Sequence, residues 1–178
     1  MTEEQSNITE RPKLEDRIKQ MLTEARIVLP GVQALLGFQL AIVLTASFDK
    51  LSAGLKAVHG VSLLLTALSI VLLMTPAAYH RIVFRGEVSQ SFERIGSVLI
   101  TVATIPLALA LSGDVFVVCS KIFESKQAAG AIGFLVLATL IGLWHIVPTI
   151  ARRRRTREEP SSSDAGRLSG SMRVGQRL

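Results

Sequence analysis

The sequence predicts an all-α membrane protein, a four-transmembrane-helix up-down bundle with an N-terminal amphipathic interfacial helix. Three observations predict it. Of 178 residues, 49% are apolar and only 19% are charged, with a mean hydropathy of +0.43, whereas a soluble domain is nearer a quarter charged. The apolar residues fall in four blocks, each long enough for the roughly 20 residues that cross a hydrocarbon layer. The charges lie at the ends and in the connections. This distribution excludes a soluble enzyme domain, a disordered chain and a basic nucleic-acid-binding face.

Residues 1–12 carry both signs of charge and no apolar periodicity, and are expected to be a disordered tail. From 13 to 26, Leu14, Ile18, Met21, Leu22 and Ala25 recur at helical spacing opposite Glu15, Lys19, Gln20 and Glu24. That pattern predicts an amphipathic helix lying at the membrane surface, turning into the first span near Pro30. With no short apolar core before a small-residue cleavage site, the first apolar block is expected to stay as its own anchor.

Four spans follow within a transmembrane domain covering 27–151. The first, at about 27–48, contains only Gln33, Gln39 and scattered hydroxyls as polar members. The second, 58–79, ends at His80-Arg81. The third, 95–119, has Pro106 near its middle and Asp114 toward its far end. The fourth, 128–150, stops at Arg152-Arg153-Arg154-Arg155. Continuous apolar runs of this length are not the alternating ten-residue strands of a membrane barrel. Short connections make consecutive helices antiparallel neighbours. Residues 152–178 are Arg-rich and then rich in Ser and Gly, and are expected to be a disordered tail.

All 14 Arg fall in the N-terminal segment, the second connection and the C-terminal tail. The positive-inside rule therefore places both termini in the cytoplasm. Arg152, Arg153, Arg154, Arg155 and Arg157 would hold anionic lipid at roughly 1 kcal/mol per basic residue near the surface.

Polar groups at depth are where function in such proteins usually sits. Gln39 is placed near the centre of the first span. His59, Ser62, Thr66, Ser69, Pro76 and His80 make one polar stripe on the second, and Ser97, Thr101 and Thr104 make another on the third. Small residues mark a face of the first span (Gly37, Ala41, Thr45), and Ala138, Gly142 and His145 mark one on the fourth. Close helix packing accounts for such stripes. Asp114 is placed toward the outer side and His80 and His145 toward the cytoplasmic side, so no acid/base pair shares a depth. No midplane carboxylate of the kind a coupled carrier uses is expected.

Enzymatic signatures are missing: there is no paired-histidine metal helix, phosphate loop or nucleophile elbow. The single cysteine, Cys119, forms no internal disulfide. No cofactor and no nucleic-acid partner is expected.

The run from Glu24 to Gln39 (EARIVLPGVQALLGFQ) and the run Thr75-Pro76-Ala77-Ala78-Tyr79-His80-Arg81-Ile82 resemble a family of small four-span bacterial membrane proteins of unknown function. The likeness covers about residues 14–151. It implies a bacterial cytoplasmic (inner) membrane and assigns no catalytic or binding residue, although related sequences are sometimes labelled sodium:proton antiporters. The most distinctive polar positions within it are Glu24, Arg26, Gln33, Gln39, Tyr79, His80 and Arg81.

The expected role is a non-enzymatic structural or accessory membrane component that self-associates or binds another membrane protein. The rival expectation is a small ion or proton-coupled transporter or channel, with Gln39, Thr101, Thr104, His80 and His145 lining its path. A path predicts wet stripes; a packing module predicts stripes buried dry against Gly37 and Gly142.

Overall fold

The computed structural model describes residues 3–84 and 90–158, with side chains described over 14–82 and 90–154. Among the described residues the chain is all helical, without strands. The elements are α1 (Glu3–Val43), α2 (Ala46–Asp49), α3 (Ala53–Tyr79), a π-helical turn (His80–Phe84), α4 (Gln90–Phe123), α5 (Lys126–Ile141), a second π-helical turn (Gly142–Ile146) and α6 (Val147–Glu158). Four stretches are long and apolar enough to cross a membrane: Leu14–Val43, Ala53–Ile82, Gln90–Phe123 and Lys126–Arg154.

Two compact units divide the chain, Met1–Leu140 and Ile141–Leu178. In the first, α1, α3 and α4 pack on one another, and the α3–α4 interface is the most extensive. Spacing explains why. The buried positions of α3 are His59, Ser62, Thr66, Ser69, Leu73 and Pro76, alternating 3 and 4 apart, the rhythm of a coiled-coil seam. On α1, Ile18, Ala25, Val32 and Gln39 are buried at intervals of seven. On α4, Gly96, Ala103, Ala110 and Val117 repeat the same interval. α1 and α3 thus each turn one narrow stripe inward and leave apolar residues outward, whereas α4 also buries Pro106, Leu107, Ala108 and Ser112.

Val32, Leu73, Ala103 and Leu107 form the central cluster of the three helices. A second cluster, Ile18, Met21 and Phe92, ties the start of α1 to the start of α4. The α4–α5 connection is short because Glu124 takes a left-handed conformation (φ 52°) that ends α4. The Ser125 hydroxyl accepts from the Ala128 amide at 3.3 Å and starts α5.

Several expectations are corrected. No turn occurs at Pro30, and residues 13–26 are part of the continuous α1. Pro30 is exposed, while Ala25 and Val32 on either side of it are buried, so packed residues hold the helix across the interruption. The tail expected over 1–12 is helical from Glu3, and α6 carries helix through Glu158, past the expected end of order at 152. The remainder of the expected tail, 159–178, lies outside the described residues. The inner face of α1 is not Gly37-Ala41-Thr45, which is exposed; the seven-residue stripe ending at Gln39 takes its place. The core is built by three helices rather than four. α5 meets α4 at Gly133, whose Cα would carry a Cβ 3.2 Å from both the Ser112 carbonyl oxygen and Phe116 Cβ, while Phe134 and Leu135 stay exposed.

Candidate functional site

Where α1, α3 and α4 converge near the α1–α3 connection, three polar side chains meet. Gln39 is the last member of the α1 stripe, so the periodicity that buries Val32 also buries it, to 1% exposure. His59 is the first member of the α3 stripe, 3% exposed. Asp114 sits nine residues before α4 ends at Phe123, about 14 Å along the helix at 1.5 Å per residue. The antiparallel arrangement brings all three to one level.

The contacts are specific. Gln39 Nε2 donates to Asp114 Oδ2 at 2.5 Å. His59 Nε2 lies 3.0 Å from the Gln39 carbonyl oxygen. His59 Nδ1 faces Asp114 Oδ1 at 3.3 Å. Phe48 of α2 covers the imidazole edge-on, with ring centroids 5.5 Å apart, and the Lys56 ammonium rests on the Phe48 ring 5.6 Å from its centroid. Gln39 Oε1 is buried without a hydrogen-bond partner, and buried Asp114 Oδ1 has only the His59 ring nitrogen facing it. Buried polar atoms are normally satisfied, so the cluster has acceptor capacity to spare. The arrangement can bind a hydrogen-bond donor or a proton. Among the described residues no group of three or more His, Cys, Asp or Glu could hold a metal ion.

The α3 stripe leads away from this cluster and is buried dry. Thr66 Oγ1 donates to the Ser62 carbonyl and Ser69 Oγ to the Leu65 carbonyl, each at 3.0 Å, within their own helix. What faces the stripe is α4: a Cβ on Gly113 would overlap the Ser62 hydroxyl, and one on Gly96 would lie 2.6 Å from Met21 Cε and 3.6 Å from Pro76 Cβ. The expected partners Gly37 and Gly142 each have open space where a Cβ would be.

Family membership is decided at this point, since the family of unknown function DUF6328 matches residues 7–148. The chain belongs to DUF6328. The match takes in Gln39, His59 and Asp114 and stops short of Arg152. No curated protein and no solved structure matches the chain.

The other sequence-selected residues of this DUF6328 chain do not gather with the cluster. Glu24 is exposed on α1, accepts from Gln20 Nε2 at 3.3 Å, and lines a 240 Å³ cavity with Thr101, Arg17 and Glu93. Arg17 and Glu93 pair across it at 3.8 Å. Arg26 and Gln33 are exposed on α1. Thr101 and Thr104 bond their own helix, to the Ser97 and Thr101 carbonyls. Tyr79 and Arg81 are exposed at the other end of α3, where the His80 ring packs on Phe92 with centroids 4.8 Å apart. In the second unit, His145 lies in the π-helical turn and its carbonyl accepts from Thr149 at 2.5 Å. Arg152, Arg153 and Arg154 are exposed on α6, which also carries Arg155 and Arg157.

His59 is the residue that sequence reasoning missed as a site. It was legible as a member of the stripe, and its signal was position: it opens α3 from the end at which antiparallel α4 carries Asp114. The expectation that no acid/base pair shares a depth is corrected, since His59 and Asp114 meet at 3.3 Å.

Proposed function

We propose that this DUF6328 chain is a non-enzymatic accessory component of a bacterial cytoplasmic membrane, crossing it four times with both termini inside. Positive charge concentrated at one end of each apolar stretch supports the orientation. The single observation that carries the accessory reading is the buried α3 seam: Ser62, Thr66 and Ser69 are at most 2% exposed, and the Ser62 hydroxyl fills the space beside Gly113 of α4, whereas on the other stripe Thr101 lines a cavity. The outward apolar faces of α1 and α5 fit lipid, a second copy or another membrane protein, and the Arg152–Arg157 segment fits anionic headgroups.

A second reading, proton-coupled transport, is favoured by the Gln39–His59–Asp114 cluster, because ionisable residues within membrane spans ordinarily serve a pathway. One assay separates the two: proton flux in proteoliposomes under imposed sodium or potassium gradients, with His59→Gln and His80→Ala/His145→Ala controls. The accessory reading expects no flux above empty liposomes. Protein-dependent flux lost in a control overturns it in favour of the carrier.

A further inference from the structure

We infer that His59 and Asp114 form a binding site for one proton, held between His59 Nδ1 and Asp114 Oδ1. The inference is independent of whether anything is transported.

The hydrogen-bond partners fix the proton count. A backbone carbonyl only accepts, so the 3.0 Å approach of His59 Nε2 to the Gln39 carbonyl requires hydrogen on Nε2. In a neutral ring Nδ1 is then bare. Its neighbour at 3.3 Å is Asp114 Oδ1, a buried oxygen with no hydrogen-bond donor. A bare Nδ1 against an ionised carboxylate would set two lone pairs face to face and leave a negative charge on a half-buried side chain whose Oδ1 atom is fully covered, which is costly. One proton taken from water removes both problems. On Nδ1 it gives an imidazolium–carboxylate pair; on Oδ1 it gives a carboxylic acid donating to Nδ1. Both forms are neutral overall and contain the same atoms.

The surroundings supply no substitute for that proton. α4 contributes Asp114, α1 contributes the uncharged Gln39, and α2 contributes Phe48. Lys56, on the same helix as His59, holds its ammonium over the Phe48 ring that covers the imidazole. Gln39 touches both members of the pair, Asp114 through its amide and His59 through its carbonyl.

The test uses full-length protein in lipid nanodiscs with ¹⁵N-labelled histidine and ¹³C-carboxyl-labelled aspartate, assigned by the single signals lost in His59→Gln and Asp114→Asn. At neutral pH the wild type is expected to show either hydrogen on both His59 ring nitrogens beside an ionised Asp114, or a protonated Asp114 beside a neutral ring. An ionised Asp114 beside a neutral ring with a bare Nδ1 would overturn the inference. The decisive spectra are those of the wild type, so the result stands even if a variant folds poorly. Absence of flux in liposomes leaves this outcome untouched, and the two readings fail separately.

Discussion

Gly133 on α5 stands against the backbone carbonyl of Ser112 on α4, so that a single added methyl group would sit 3.2 Å from that oxygen and from Phe116 Cβ. A helix carbonyl has little room to retreat. The contact is the point at which α5 approaches the other three helices, with Ala129 buried one turn before it.

Gly133→Leu should therefore detach α5 from α4. Cysteines at Leu109 and Leu137, which line one cavity between these helices, are expected to cross-link readily in a Cys119→Ser background. Cross-linking should fall several-fold when Gly133→Leu is added; an unchanged yield would show that the two helices meet elsewhere.

The α3 seam predicts an asymmetry between removing polarity and adding volume. Thr66→Val and Ser69→Ala delete hydroxyls that bond only their own helix, and each should change stability by less than about 1 kcal/mol. Thr66→Leu overfills a fully buried position and should cost about 1–3 kcal/mol. Unfolding in mixed micelles measures both. Equal effects would mean that the seam is loosely packed.

The polar cluster predicts strong coupling. Asp114→Leu alone leaves His59 Nδ1 and Gln39 Nε2 without their partner and should destabilise by about 1–3 kcal/mol. His59→Leu combined with Asp114→Leu removes both ionisable groups and should recover most of that loss. If the double variant were as unstable as the sum of the single ones, the two residues would not be acting as a pair.

At the opposite end, packing outweighs charge. Phe92 is fully buried against Ile18 and Met21, and Phe92→Ala should cost about 3 kcal/mol or more. The Arg17–Glu93 pair is largely exposed, and Arg17→Ala should cost no more than about 1 kcal/mol. Comparison of the two melting temperatures tests the ranking.

Glu124 offers a gain. Its left-handed backbone favours glycine, and Glu124→Gly should stabilise by about 1 kcal/mol. A lowered melting temperature would mean that the Glu124 side chain holds the connection by itself.

The positions of the four apolar helices were legible because composition alone limits them: blocks of apolar residues broken by charge have few alternatives. The α3 stripe was legible for the same reason as its burial, a 3–4 rhythm from His59 to Pro76. What faces that stripe was not. Gly37 and Gly113 look equally small in sequence, and only the register between α3 and α4 sets Gly113 against Ser62. The same holds for the site. Gln39 and Asp114 are 75 residues apart, and their meeting depends on where two connections end and on α1 passing straight through Pro30. A proline reads as a break when its neighbours are unknown; buried Ala25 and Val32 show why this one is not.

The unbroken α1 has a mechanical consequence. From Arg17 to Gln39 it is a single stiff rod of about 33 Å at 1.5 Å per residue, gripped at one end by Asp114 and His59 and resting at the other on Glu93 and Phe92. A rod with no joint cannot absorb a displacement locally. A roll or slide of α1 at Gln39 would be carried along the rod to Arg17 and its partner Glu93.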